Sequence, residues 1–113
     1  KSKAKMFLKY LAKTKEKLTF TLSSNKDIKS CIKSLNSLGV KGDKGEPLSS
    51  KNTDYGSNIK DSIGDSGKVA CITVEYDDEY GCPILDWDLI EDNGSIKPYS
   101  IVKERINEII KTV

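Results

Sequence analysis

The stretch Val74 to Gly94, VEYDDEYGCPILDWDLIEDNG, holds eight carboxylates, Glu75, Asp77, Asp78, Glu79, Asp86, Asp88, Glu91 and Asp92, with no Lys or Arg among them. Carboxylates at this density admit three chemistries. They can ligate a hard cation through oxygen, present negative charge to a basic partner, or keep two strands hydrated. Asp77, Asp78 and Glu79 precede Gly81, where Asp and Gly are ordinary turn residues and the charge is freely solvated. Asp86 and Asp88 instead alternate along one face of an expected strand, with Glu75 on its expected neighbour. Like charges held that way repel, so a compensating cation is expected, with Lys97 the nearest candidate. If the cation is Mg²⁺, then Glu75, Asp86 and Asp88 become a catalytic set for phosphodiester hydrolysis. Without Mg²⁺ no cofactor or metal is implied. An EF-hand loop is excluded, because counting from Asp86 puts Ile90 fifth and Glu91 at the position that demands Gly.

Other chemistries are absent. The chain has no histidine, which removes Ser-His-Asp and Cys-His sites from it. GVKGDKGEP offers glycines and lysines but no following helix to cradle a phosphate. Cys31, Cys71 and Cys82 form no CxxC pair, so neither a zinc site nor a disulfide framework is indicated, and a reducing, cytoplasmic setting is expected. A Cys71 to Cys82 bridge across neighbouring strands is the alternative.

Charge divides along the chain. Lys1 to Gly45 carries twelve Lys against three acids, and Glu46 to Val113 carries seven Lys or Arg against fourteen acids. Lys3, Lys9, Lys13 and Lys17 are therefore the candidates for sequence-indifferent contact with RNA phosphates. Against this stand a single Arg and, for base stacking, only Tyr10 and Tyr55.

These residues must be positioned by elements that the hydrophobic pattern predicts. Ala4, Phe7, Leu8 and Leu11 sit at helical spacing, and LTFTLSS alternates as a strand with one buried face. Ser24 caps a helix with Ile28, Cys31, Ile32, Leu35 and Leu38 on one side, stopped by Gly39. Residues 41–57 read as a long surface loop, and Ile59 with Ile63 allows one or two helical turns. KVACITVEY and CPILDWDLI alternate as strands. Asn93-Gly94 then predicts a type I′ hairpin that pairs Ile90 with Lys97 and Asp88 with Tyr99. Ser100 caps a last helix with Ile101, Val102, Ile106, Ile109, Ile110 and Val113 along one stripe. Ile28, Ile32, Leu35, Trp87, Ile106 and Ile110 are expected to share one core.

The fold expected is a single α+β domain over residues 1–113. It has a mainly antiparallel sheet, a three-strand meander plus one N-terminal strand, with helices packed on one face. Absence of an initiator Met points to a piece of a longer protein, and no stretch nears the roughly 20 apolar residues of a membrane span. The function expected is non-enzymatic: an immunity- or inhibitor-like domain that meets a basic protein through Asp77, Asp78, Glu79, Asp86, Asp88 and Tyr99. The alternative is a small histidine-free nuclease, such as a bacterial RNase toxin domain, that grips RNA with its N-terminal lysines.

Overall fold

Apolar residues at helical spacing and at every second strand position become, in the computed structural model, eight elements across the described residues 2–112. In chain order they are α1 (Ser2–Thr14), β1 (Leu18–Leu22), α2 (Asn25–Ser37), β2 (Lys41–Gly42), α3 (Tyr55–Ile63), β3 (Val69–Asp77), β4 (Cys82–Ile90) and α4 (Tyr99–Thr112). Lys1 and Val113, the first lysine of the basic region and the last residue of the apolar stripe, lie outside the described residues.

Local chemistry sets the helix starts. Ser24 accepts the Asp27 N–H at 3.2 Å and opens α2. The Asp54 carboxylate accepts the Ser57 N–H at 3.3 Å and the Ser57 hydroxyl at 2.8 Å, which opens α3. Past α2, Gly39 takes φ +82, a left-handed conformation that ends the helix where a side chain would be strained.

The sheet runs in the order β1-β3-β4-β2, antiparallel except for the β2–β4 pair. Register places Leu18 opposite Val74 and Phe20 opposite Ile72, with Val74 in turn opposite Leu85. These five are buried on one face, together with Leu22 and Ala70. All four helices add to the same cluster, through Phe7 and Leu11, Ile28 to Leu35, Ile59, and Val102 to Ile109. The α+β class, the antiparallel character and the helices on one face thus stand as expected. Ile28, Ile32, Leu35 and Ile106 are core residues; Trp87 and Ile110 are partly buried against it.

Three expectations and one alternative are corrected. First, no third meander strand follows β4. Lys15 is the only described non-glycine residue with positive φ, so Asn93 does not adopt the conformation that a type I′ turn needs. The chain instead crosses to the far edge of the sheet, where Thr21 N–H donates to the Lys97 carbonyl at 2.9 Å and Thr21 bridges Pro98. Pro98 has no N–H to sustain a strand, and helix α4 starts directly after it, at Tyr99 and not behind a Ser100 cap. Asp88 therefore faces Cys71 and Ile90 faces Val69; neither Tyr99 nor Lys97 is their neighbour.

Second, residues 41–57 are not a plain surface loop. They hold β2, the bridges Lys41↔Pro47 and Ser49↔Asp54, a fully buried Leu48 and the first turn of α3. The Tyr55 hydroxyl donates to Glu46 at 2.8 Å and lies against Gly42, where a Cβ would have no room. Third, the free thiols expected stand and the alternative of a Cys71 to Cys82 bridge falls, because register sets the two opposite Asp88 and Asp77, far apart along the hairpin. Fourth, Tyr99 is a core residue, 7% exposed, with its ring centroid 5.1 Å from that of Phe20.

Candidate partner-binding face

Helices cover one face of the sheet and leave the other open. On that outer face the register builds two rows across three strands, Thr19–Thr73–Asp86 and Thr21–Cys71–Asp88. Asp86 and Asp88 are exposed, while Cys71, Thr73 and Ile90 beside them are half-buried. Together with Trp87 these residues line a shallow depression of about 230 Å³. Among the described residues no lysine or arginine forms an ion pair with either aspartate. Their hydrogen bonds are local: Asp86 accepts the Trp87 N–H at 3.0 Å, and Asp88 accepts the Leu89 N–H at 2.9 Å. Burial and the charge of Asp88 push the Cys71 thiol above its ordinary pKa, so it stays protonated.

Glu75 is diagonal to this pair, since it faces Ile84 and not Asp86, and its carboxylate is 3.8 Å from Lys17 Nζ. Among the described residues no group of three or more His, Cys, Asp or Glu side chains could hold a metal ion, so Glu75, Asp86 and Asp88 are not gathered into a ligand set. The cation expected beside Asp88 is also missing, because Lys97 has gone to the opposite sheet edge.

The acidic turn divides its labour. Asp77 accepts the Glu79 N–H at 2.8 Å and the Tyr80 N–H at 3.0 Å, and Gly81, at φ +67, closes the turn onto the Asp77 carbonyl. Asp77 therefore builds the turn. Asp78 meets Lys15 at 2.8 Å, an exposed pair worth little in stability, and Glu79 stays exposed. Tyr99 is not part of this surface. Its hydroxyl is buried without a hydrogen-bond partner among the described residues.

The lysines sort differently from expectation. Lys3, Lys9, Lys13 and Lys17 are all exposed, but Lys17 lies beyond α1. Four-residue spacing puts Lys5, Lys9 and Lys13 in one row opposite Phe7 and Leu11, and sets Lys3 off that row. Lys5 was legible from the same spacing.

One polar cluster had no sequence signal. Arg105 in α4 forks onto Glu16 at 2.7 and 3.0 Å and also donates to the Tyr10 hydroxyl at 2.5 Å, which in turn donates to Glu16 at 2.6 Å. The Arg105 hydrogen bonds hold the Glu16 carboxyl below its ordinary pKa, with Tyr10 assisting; Glu16 in turn raises Tyr10. A carboxylate so held is a poor general base, and the cluster joins the α1–β1 link to α4.

No protein-family model matches the chain, and neither does any curated protein or solved structure. Among the described residues no helix is long and apolar enough to cross a membrane.

Proposed function

We propose that this domain is a non-enzymatic protein-binding module, of inhibitor or immunity type, that meets a basic partner through the outer sheet face around Asp86 and Asp88. One observation carries the reading: two exposed aspartates in adjacent rows of an uncovered sheet face, with no cation among the described residues paired to either. Such a pair raises the local negative field, and a field of that kind speeds encounter with a positive surface and suppresses acidic competitors. Glu79, at the far turn, extends the field; Asp77 and Asp78 contribute less, being engaged in the turn and with Lys15.

The nuclease alternative draws on the exposed row Lys5, Lys9 and Lys13, which suits phosphate contact. Its catalytic carboxylates have less support, because they are not clustered.

Capture from lysate by the wild type and by Asp86→Asn with Asp88→Asn, side by side, tests the proposal. A basic protein retained by the wild type and lost from the double variant is the expected result. Equal retention by both, or Mg²⁺-dependent cleavage of labelled RNA that the double variant lacks, overturns it.

A further inference from the structure

The backbone beside Asp86 and Asp88 is as informative as their charge. Rows of an antiparallel pair alternate between residues that exchange two hydrogen bonds and residues that exchange none. Pro83 has no N–H and faces Tyr76, so its row is of the second kind, and counting in twos places Leu85, Trp87 and Leu89 there too. Their N–H and C=O groups therefore point away from β3. On that side β2 pairs only with Ile84 and Leu85, which leaves Asp86 to Ile90 without a strand neighbour among the described residues. The opposite sheet edge is partly filled by Lys97 and Pro98 against Thr21. The open edge of β4 is the longer one.

An uncovered strand edge is a template for another strand, and proteins blunt it or use it. Here the Trp87 and Leu89 amides are held by the aspartates that precede each of them. The arrangement can be exchanged bond for bond: a cation that draws a carboxylate outward frees the amide behind it for an incoming carbonyl. Asp86 and Asp88 lie two residues apart on one face, about 7 Å, which matches side chains at alternate positions of an extended segment.

We propose that the basic partner docks by adding a strand to the β4 edge at Asp86–Ile90, its backbone pairing with Trp87 and Leu89 and alternate Lys or Arg side chains meeting Asp86 and Asp88. This rests on the partner-binding reading above and adds the mode of contact. Asp92, exposed just beyond the strand, continues the acidic track for a longer segment, whereas Glu91 beside it is 3.9 Å from Lys68 Nζ and adds less.

The test uses the folded chain and three capped peptides of equal charge: alternating lysine and valine, the same composition with all lysines adjacent, and the alternating peptide methylated on every backbone nitrogen. The alternating peptide is expected to slow amide hydrogen exchange at Trp87 and Leu89 and to bind at least about tenfold more tightly than the other two, a difference of about 1.4 kcal/mol. Asp86→Asn with Asp88→Asn, checked for folding by thermal melt, should remove that preference. Equal binding by the methylated peptide, or slowed exchange elsewhere only, overturns strand addition while leaving an acidic docking face in place. No binding of the alternating peptide overturns strand addition as well. Binding of all three peptides that ignores both aspartates overturns the face itself.

Discussion

Tyr99→Phe should make this protein more stable, against the usual direction of core substitutions. Tyr99 is 7% exposed and its ring packs on Phe20, yet its hydroxyl is buried with no hydrogen-bond partner among the described residues. A buried hydroxyl left unpaired costs about 1–3 kcal/mol, and phenylalanine keeps the ring while removing that cost. The Ser34 side chain acts on the Tyr99 hydroxyl and eases its ionisation, but it falls short of full hydrogen-bonding geometry. The lower part of the range, about 1–2 kcal/mol, is therefore expected. At this size about 1 kcal/mol moves the melting midpoint by about 4 °C, so a rise of about 4–8 °C should appear in melts followed by circular dichroism. Ser34→Ala, in parallel, should change stability by less than about 0.5 kcal/mol. Alkaline pH supplies a second readout. Burial pushes the Tyr99 hydroxyl above its ordinary 10.0, so above that pH the unfolded chain releases a proton that the folded chain keeps. Stability of the wild type then falls as pH rises, and the advantage of the variant widens. A variant less stable than the wild type, with Ser34→Ala equally harmful and the two effects not additive, would refute the reasoning by showing a Ser34–Tyr99 hydrogen bond.

Asp86→Asn with Asp88→Asn should leave the melt unchanged or raise it by no more than about 2 °C. Asn keeps an acceptor for the Trp87 and Leu89 amides, and screened repulsion across about 7 Å is worth only about 0.3 kcal/mol; a marked drop would mean that the carboxylates hold the strand. Ile106→Ala and Ile32→Ala, both at positions 3% exposed, should each cost about 2–5 kcal/mol in urea unfolding, and a loss under about 1 kcal/mol would contradict their place in the core. Arg105→Met should destabilise near neutral pH and matter less in acid. The folded Glu16 pKa lies below its ordinary 4.5, so the stability it contributes is present above that value and fades as pH falls beneath it. A destabilisation that stays constant down to pH 2 would show that lost packing, not the ion pair, is responsible.

Periodicity made β1, α2, β3, β4 and α4 legible, because each buries one face and that face is written at every second residue or along a helical stripe. What failed was destination. Asn93-Gly94 does mark a bend, with Gly94 at φ +73 and the Asn93 side chain accepting the Ser95 N–H. Where the chain goes after the bend is decided by Pro98 and by the docking of α4, and neither acts within the turn. Strand β2 could not be read at all, since two residues carry no period and its parallel pairing with Ile84 and Leu85 is tertiary. The exposed pair Asp86 and Asp88 was legible from alternation alone, whereas its isolation from Lys97 followed from the misplaced strand. Arg105 and Glu16 are distant in sequence, and no local pattern announces that a lone arginine will fork onto a linker glutamate.

The β3–β4 hairpin occupies the middle of the sheet, and both outer strands are joined to it from a distance. In kinetic terms this orders assembly. A hairpin closed by a four-residue turn can form on a timescale of about 1–10 µs, but Leu18 finds Val74 only after the whole intervening chain, with α2 and α3, has been gathered in. Loop-closure entropy opposes that step until the shared core rewards it, so the β1–β3 pairing, and not the acidic hairpin, is expected to govern the folding rate. The same hairpin leaves the outer edge of β3 unpaired until β1 arrives, beside the β4 edge that stays largely open in the folded protein. Its net negative charge keeps copies of the nascent hairpin from pairing with one another during that interval.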